Sequence, residues 1–362
     1  MMKREYILVI NPGSTSTKVS LFKGLENVIQ ENINHSSEEI SKYDRIYDQL
    51  DMRRDTILEW VNEKGYSTSQ LIAVVGRGGL LRSMPGGTYK VTDKMLDDLK
   101  IGVQGEHASN LGGLIAKSIG DIENIESYIV DPVAVDEFED VARISGIPEI
   151  ERKSLGHALN IKAVGRRVAQ SLGKNFDEIN MIVVHLGGGI SIAPLKNGKA
   201  IDYNNANEMG PFSPERTGGL PVGDLVKLCF SGKYTEKEIK LKLRGKGGLT
   251  AYLGTNDARE VMKMIENGDN NAELVFNAMG YQIGKEIGAM ATVLNGDTEA
   301  IVITGGLAYS KYLTDYIKNM VEFIAKVYIE PGEDEMRALN EGALRVINNE
   351  EAAKIYEYEV KL

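Results

Sequence analysis

The chain has 362 residues, with 42 Lys plus Arg against 52 Asp plus Glu, a formal net charge of -10, 39 Gly and one Cys. That length passes the roughly 250–300 residues at which a single core stops growing, so two domains are expected. Apolar residues at 42% and charged residues at 26% exclude global disorder. The acidic balance offers no basic field for nucleic acid or an anionic membrane, yet leaves room for a small anion held by local charges. Cys229 alone makes neither an intrachain disulfide nor a cysteine cluster, which suits a reducing cytoplasm.

Tyr6–Ile10 is a short apolar, strand-forming run that meets the polar turn Asn-Pro-Gly-Ser-Thr-Ser-Thr17, after which Lys18–Phe22 alternates polar with apolar. This predicts strand, turn, strand. The apolar run is too short for a signal-peptide core, and none reaches the ~18 residues that span a bilayer, so a soluble cytoplasmic chain is expected. Ile72–Val75 and Tyr128–Val130 are further buried-strand candidates, and Ala158–Leu172 has helical spacing with Arg166 and Arg167 on its polar side. Met181–Val184 runs into His-Leu-Gly-Gly-Gly189, Ile190–Leu195 alternates, and Asn197-Gly198 predicts a hairpin before Lys199–Asp202. Ala272–Leu294 reads as one long helix closed by Asn295-Gly296, Ile301–Thr304 as a strand, and Lys311–Val327 and Glu335–Ile347 as amphipathic helices. Strands alternating with helices give an α/β class, and the repeated strand-turn-strand pattern, nearly half a chain apart, indicates a duplicated sheet domain with a cleft between copies. The expected boundary lies at Glu149–Arg152, giving domains 1–150 and 151–362.

Glycines after strands commonly do no more than end them. Three such turns together, 11–17, 185–189 and 304–307, suggest more, because backbone N–H groups in Gly/Ser/Thr turns converge on anions and absent side chains let phosphate approach. They predict a nucleoside triphosphate cradled from two sides. Neither G-x-x-x-x-G-K-[ST] nor a strand-following G-x-G-x-x-G occurs, which argues against a P-loop NTPase and a dinucleotide-binding dehydrogenase. No Gly-x-Ser-x-Gly elbow supports a serine hydrolase.

Of four His residues, His185 is the most informative, standing where an apolar strand meets three glycines; a satisfied core histidine is the alternative. His157 falls at a predicted helix start, where a capping or surface role competes. His107, in Gly-Glu-His-Ala-Ser-Asn110, is either a substrate-site or a plain loop residue, and His35 receives no role. No His pair has zinc-ligand spacing. Arg77, between glycines at a strand end, is placed to hold a carboxylate or phosphate bidentately, against a plain surface Arg; Arg216 in Pro-Glu-Arg-Thr-Gly-Gly is similar. Asp131 closes Ile-Val-Asp-Pro at a strand end, a position for Mg²⁺ binding or a simple Asp-Pro turn.

The ordered set Asn-Pro-Gly-Ser-Thr-Ser-Thr-Lys18, Val-Gly-Arg77-Gly-Gly, Ile-Val-Asp131, His157, His185-Leu-Gly-Gly-Gly and Ile-Thr-Gly-Gly-Leu-Ala308 resembles the acetate and butyrate kinase family over essentially the whole chain. Pro-Glu-Arg-Thr-Gly-Gly and the shorter length are more similar to the butyrate branch. The resemblance implies duplicated actin-like ATPase (ribonuclease H-like) domains clasping ATP in a central cleft. The N-terminal domain would carry the first phosphate loop and acyl-substrate elements, and the C-terminal domain the second phosphate loop and an adenosine loop. The implied reaction is ATP + butyrate = ADP + butyryl phosphate, by direct in-line transfer with Mg²⁺, extending to branched short-chain acids. An acetate or propionate kinase and a nucleotide-gated actin-like scaffold are the alternatives.

By the same resemblance Asn11, Ser14, Ser16, Lys18, Gly187, Gly188 and Gly189 meet phosphates, and Gly305 and Gly306 lie against adenosine. Arg77, with His107, Asn110 and Arg216, meets the carboxylate substrate. His157 and His185 flank the phosphoryl group, while Asn11, Asp131 and Glu335 serve Mg²⁺, with Glu333 and Asp334 as competing registers. Acetate kinases carry a second active-site Arg shortly before a Gly-Asp; Leu220-Pro-Val-Gly-Asp224 has none, and Arg216 is the substitute. A homodimer or larger homo-oligomer is implied.

Overall fold

The computed structural model describes residues 3–360. The chain divides into two compact units, Met1–Asp136 with Asp334–Leu362, and Glu137–Glu333. The first unit holds strands β1 (Tyr6–Pro12), β2 (Ser16–Lys23), β3 (Glu26–Asn34), β4 (Leu71–Arg77), β5 (Thr88–Lys90), β6 (Glu126–Val130) and, from the end of the chain, β12 (Lys354–Ile355). The second holds β7 (Met181–Leu186), β8 (Ile190–Lys196), β9 (Lys199–Ala200), β10 (Ala300–Gly305) and β11 (Lys326–Pro331).

The strand orders are β12-β5-β6-β4-β1-β2-β3 and β11-β10-β7-β8-β9. In each, a central strand pairs antiparallel into a hairpin on one side and parallel on the other: β1 with β2 and β4, β7 with β8 and β10. Antiparallel neighbours need only tight turns, and Asn197 and Gly198 between β8 and β9 have the positive φ values of 50° and 73° that such a turn requires. Parallel neighbours need crossovers, supplied by helices 50–63 and 110–123 in one unit and 270–293 and 311–321 in the other. The duplicated α/β pattern expected from the sequence is therefore present.

Both faces of the second sheet are covered, and the period of two in β7 shows it. Ile182 and Val184 pack with Phe276, Met279, Ile283 and Ile287 of the long helix. Met181 and Val183 face the other way, onto Ile161, Val164 and Val168. In the first unit Leu8, Ile10, Val19 and Val74 pack with Ile57, Trp60 and Ile115. Burying each such side chain contributes about 1.5–3 kcal/mol, which is what commits these near-continuous apolar runs to central strands.

One close approach positions Arg77. A Cβ on Gly76 would sit 2.0 Å from the Gly112 carbonyl oxygen, and one on Gly112 would lie 2.2 Å from that of Arg77. The Gly112-Gly113 pair thus lets helix 110–123 lie backbone against backbone on β4, which fixes the strand end.

Three expectations change. The division at 149–152 does not coincide with the compact units: the first ends at Asp136, and residues 334–362 return to it. The physical reason is the helix Glu335–Ile347, whose Gly342 leaves no room for a Cβ against Val130 of β6. The helix beginning at Lys311 ends at Val321, and Lys326–Pro331 is an edge strand paired parallel to β10. Lys199–Asp202 pairs only as far as Ala200. Among the described residues no helix is long and apolar enough to cross a membrane.

Candidate active site

In the first unit the ends of β1 and β4 and the start of helix 335–347 bring three side chains together. Asn11 donates from Nδ2 to Glu335 Oε2 at 2.6 Å, and Arg77 Nη2 lies 3.5 Å from Glu335 Oε1. Asp334 caps the helix by accepting from the Arg337 amide, which sets Glu335 as its first residue and aims that carboxylate, rather than Asp334, at Asn11. Arg77 is only 7% exposed, and its Nη1 is buried without a hydrogen-bond partner among the described residues. A guanidinium donor left unmatched costs of order 1–3 kcal/mol or more, so a buried one aimed beside a carboxylate points to an anion not supplied by the protein.

Asp131, at the end of β6, is 2% exposed and takes φ 38°, sparsely populated for a residue with a side chain. Its Oδ1 accepts from the Gly87 amide at 2.7 Å while its own amide donates to the Gly87 carbonyl at 3.0 Å. Backbone strain of this kind persists where the surroundings hold it in place. Ser14, Thr15 and Lys18 are exposed in and beside the β1–β2 turn. Asn110 spends its amide on the Leu80 N–H and the Gly105 carbonyl, so it holds the 78–80 turn that follows Arg77. His107 is exposed, with Nδ1 2.8 Å from Ser109 Oγ.

In the second unit β7 delivers His185 and the start of helix 158–171 delivers His157. Their rings stack at 4.6 Å with planes 24° apart. Glu333 Oε2 lies 3.4 Å from Nε2 of each. Asn160, one turn into the helix, accepts from His185 Nδ1 at 3.1 Å, a contact that orients the ring and turns its Nε2 toward Glu333. His157 occupies the N-cap position, yet its side chain makes no capping bond.

The glycine turn after His185 is bounded by Arg216 and Ser213. Ser213 Oγ donates to the Gly188 carbonyl at 2.6 Å, and a Cβ on Gly189 would lie 2.2 Å from Arg216 Nη1. Burial lowers the Arg216 guanidinium below its ordinary pKa, Glu215 opposes that shift, and Arg244 adds to it. Its Nε is buried with no hydrogen-bond partner among the described residues. Gly305, φ 92°, approaches the Leu186 backbone so closely that a Cβ would meet its carbonyl oxygen at 2.4 Å, whereas Gly306 is open.

The residues expected at the site therefore fall into two sets, Asn11, Arg77 and Glu335 in one unit and His157, His185 and Arg216 in the other. Asn160 and Ser213 join them without a sequence signal, and Glu333, expected only as a competing register for the Mg²⁺ carboxylate, lies against the histidines instead. Glu333 stands one residue before the unit boundary, so only the fold reveals which of three neighbouring acids faces which set.

The two sets differ as metal donors. Asn11 donates its amide N–H to Glu335, and the pair also carries an amide oxygen and a carboxylate, the hard donors of a Mg²⁺ site that fills its remaining positions with water and phosphate. His157, His185 and Glu333 have ligand atoms within 4.8 Å of one another, a nitrogen-rich set suited to a softer cation than Mg²⁺. These three donors lie far apart in sequence, which is why spacing alone did not disclose them.

Two sheets with the same hairpin-plus-parallel pattern define an actin-like ATPase fold. The chain matches acetate kinase of Porphyromonas gingivalis with a TM-score of 0.75 at 19% identity, covering 94% of this chain and 99% of that one. A propionate kinase of Francisella tularensis matches at 0.69 and 19% identity with the same coverage. The chain belongs to the acetokinase family, whose model matches residues 150–358. It is 55% identical over 351 residues to butyrate kinase 2 of Clostridium acetobutylicum, covering 97% of this chain and 99% of that protein. To a probable butyrate kinase 2 of Caldanaerobacter subterraneus it is 56% identical over 350 residues, with the same coverage.

Proposed function

We propose that the protein is a carboxylate kinase that interconverts ATP plus butyrate with ADP plus butyryl phosphate. The observation that carries this reading is the buried, unmatched Nη1 of Arg77 beside the Asn11–Glu335 contact. In this reading it is an anion site beside an amide and a carboxylate, in a chain 55% identical to a butyrate kinase.

A free carboxylic acid has a pKa near ~4–5, so at neutral pH the nucleophile is already ionised and needs no general base. The obstacle is bringing one anion to another and stabilising charge spread over three equatorial oxygens of a loose phosphoryl transition state. Arg77 binds and orients the carboxylate, and its guanidinium stabilises the transferring group. His185, its ring held by Asn160, and His157 donate to the phosphoryl oxygens. The amides of the 11–17 and 187–189 turns hold the remaining phosphates, Arg216 takes the place of the second Arg of acetate kinases, and Gly306 gives adenosine an open surface. Asn11 and Glu335, with Asp131 through water, would hold Mg²⁺, which supplies charge neutralisation at the phosphate oxygens when bound.

The test is a panel of C2–C5 carboxylates with hydroxylamine trapping of the acyl phosphate. Butyrate and its branched isomers are expected to give the highest kcat/KM; a maximum at acetate or propionate would overturn the chain-length assignment, and no acyl phosphate from any acid would overturn the reaction. Each methylene in an apolar pocket is worth only about 1–3 kcal/mol, so the preference is graded rather than absolute. Trapping a phosphorylated, kinetically competent protein residue would replace direct transfer with a two-step route.

The protein acts in the cytoplasm as a homo-oligomer in this reading. Support for assembly comes from helix Val222–Cys229, which has no buried residue although its sequence is apolar, and from Phe230, 87% exposed, just beyond it. Contiguous exposed apolar surface of this kind marks an interface. A monomer by light scattering at micromolar concentration would remove that part of the proposal.

A further inference from the structure

Arg53 lies in the charged run Met-Arg-Arg-Asp of helix 50–63, which has the look of a solvated face. In the structure it is 0% exposed and forms no ion pair among the described residues. Its guanidinium is spent on the β1–β2 turn. Nη1 donates to the carbonyls of Gly13 at 2.9 Å and Ser16 at 3.0 Å and to Thr17 Oγ1 at 3.1 Å. Nη2 donates to the Ser14 carbonyl at 3.1 Å, and Gln49 Oε1 accepts from both Nη2 and Nε, at 2.8 and 3.1 Å.

His35 completes the clamp. Its amide donates to the Thr15 carbonyl at 2.9 Å, and its Nε2 lies 2.8 Å from Thr17 Oγ1. Thr17 Oγ1 accepts from Arg53, and its own proton can be donated to His35 Nε2 when the ring is neutral. Burial, the Arg53 charge next to it, and only weak opposition from Glu39 hold the His35 pKa below its usual value, in agreement. Burial likewise lowers Arg53 to about 10, Glu39 working against it.

Four successive carbonyls, 13 to 16, are thus tied inward. In a planar trans peptide the N–H of the next residue points opposite to the carbonyl, so the amides of Ser14 and Thr15 are turned away from Arg53, and that of Ser16 from the His35 amide. We propose that Arg53 is a positioning residue for nucleotide phosphate: it fixes the turn so that these amides face the anion, and sets a buried positive charge beneath them. This rests on the reading of the 11–17 turn as a phosphate site. The device combines an amide nest with a buried cation, and both act on charge rather than on shape.

The test uses the full-length Arg53→Lys protein, which keeps the charge but not the fork, together with Thr17→Val, which removes the shared acceptor and leaves Arg53 in place. ADP binding is measured calorimetrically, and KM for ATP and for butyrate are measured separately. Arg53→Lys is expected to weaken ADP binding and raise KM for ATP by about tenfold, the equivalent of one lost hydrogen bond to a charged group, with KM for butyrate unchanged. Thr17→Val is expected to shift the same two quantities less.

If both variants melt earlier yet bind ADP as the parent does, Arg53 is a core strut only and the proposal fails. Should Arg53→Lys not fold, unchanged ADP affinity in Thr17→Val is the overturning result, and weakened affinity at native melting temperature the supporting one. A parent protein that binds ADP through Arg53 but forms no acyl phosphate would sink the carboxylate kinase reading and leave this one standing. One that binds no nucleotide would sink this one, whatever its phosphate chemistry.

Discussion

The β1–β2 turn and the β7–β8 turn hold the same place in two sheets of the same strand pattern, yet they are built by different means. The first is tied from within: Arg53 and the His35 amide hold its carbonyls, Thr17 is buried against them, and Ser14 and Thr15 are exposed. In the second, among the described residues, no buried guanidinium hydrogen-bonds to the turn carbonyls. Ser213 holds the Gly188 carbonyl, glycines keep the outer face bare, and Arg216 lies directly on Gly189. A repeated fold therefore fixes where an anion-binding turn can be, while the residues around it decide whether positive charge sits behind the turn or upon it. In a chain of net charge -10 that handles two anions, such local placement supplies the potential that composition does not.

The proposed reaction draws one side chain from each unit, and substituting each in turn tests both. Arg77→Ala and His185→Ala are each expected to lower kcat by about 10²–10³-fold, the usual effect of removing one transition-state donor, with circular dichroism unchanged. Near-parental turnover in either variant removes that unit's side chain from the reaction.

Next in size is the pair of carboxylates. Glu335→Gln, which keeps shape but loses charge beside Asn11 and Arg77, is expected to raise the Mg²⁺ concentration for half-maximal activity by about 10–100-fold. Glu333→Gln, against the stacked histidines, is expected to leave the Mg²⁺ requirement unchanged. A Mg²⁺ titration of the two variants checks this, and the opposite assignment would exchange the roles of the two sets.

The local grammar of both sheets was legible because buried strands are dense in Val, Ile and Leu and turns declare themselves: Tyr6–Ile10, Ile72–Val75, Met181–Val184 and Ile301–Thr304 all lie within central strands. Helices 158–171 and 335–347 were legible from their apolar spacing. What escaped depends on tertiary contact. Lys326–Pro331 becomes a strand because β10 offers a parallel edge, which the preceding helical spacing hides. Helix 110–123 carries a Gly-Gly pair that reads locally as a breaker and is required by the approach to β4. Arg53 is indistinguishable from Arg54 in the sequence, although the first is buried under a turn and the second pairs at the surface with Asp51 and Asp55. Arg77, His157 and His185 carried their own signals through glycine neighbours or helix starts; Glu333 could be read only as one of three adjacent acids, because its histidine partners are set by tertiary contact.

Glycine substitutions sharpen the comparison further. Gly76→Ala forces a Cβ into the Gly112 backbone and is expected to destabilise the protein by about 3 kcal/mol or more, since neither β4 nor helix 110–123 can yield. Gly189→Ala meets only the far end of Arg216 at 2.2 Å and the Ala206 side chain at 3.2 Å, so the guanidinium swings away and the fold is kept. Its expected signature is a melting temperature near that of the parent with a loss of turnover no larger than that of Arg216→Ala. A fully active Gly189→Ala would mean that charge lying on the second turn does not serve the reaction.

The smallest expected effect concerns acid stability, and it should separate the units. Asp98 has a fully buried side chain, and burial alone would raise its pKa; hydrogen bonds from Arg82, Lys94 and Tyr356 outweigh that and hold it below the ordinary carboxylate value. A depressed folded-state pKa stabilises the fold above the unfolded value, near ~3.9, and the contribution is lost as pH falls through the folded value. All four residues belong to the first unit, where Tyr356 from the returning C-terminal segment closes the cluster. Hydrogen exchange below about pH 4 should therefore accelerate in helix 93–101 and in residues 356–359 before it does in helix 270–293. Asp98→Asn, which cannot ionise, is expected to lower stability at pH 7 and to abolish that part of the acid dependence. Parallel exchange profiles for the two units in parent and variant would show that this cluster does not set the acid limit of the first unit.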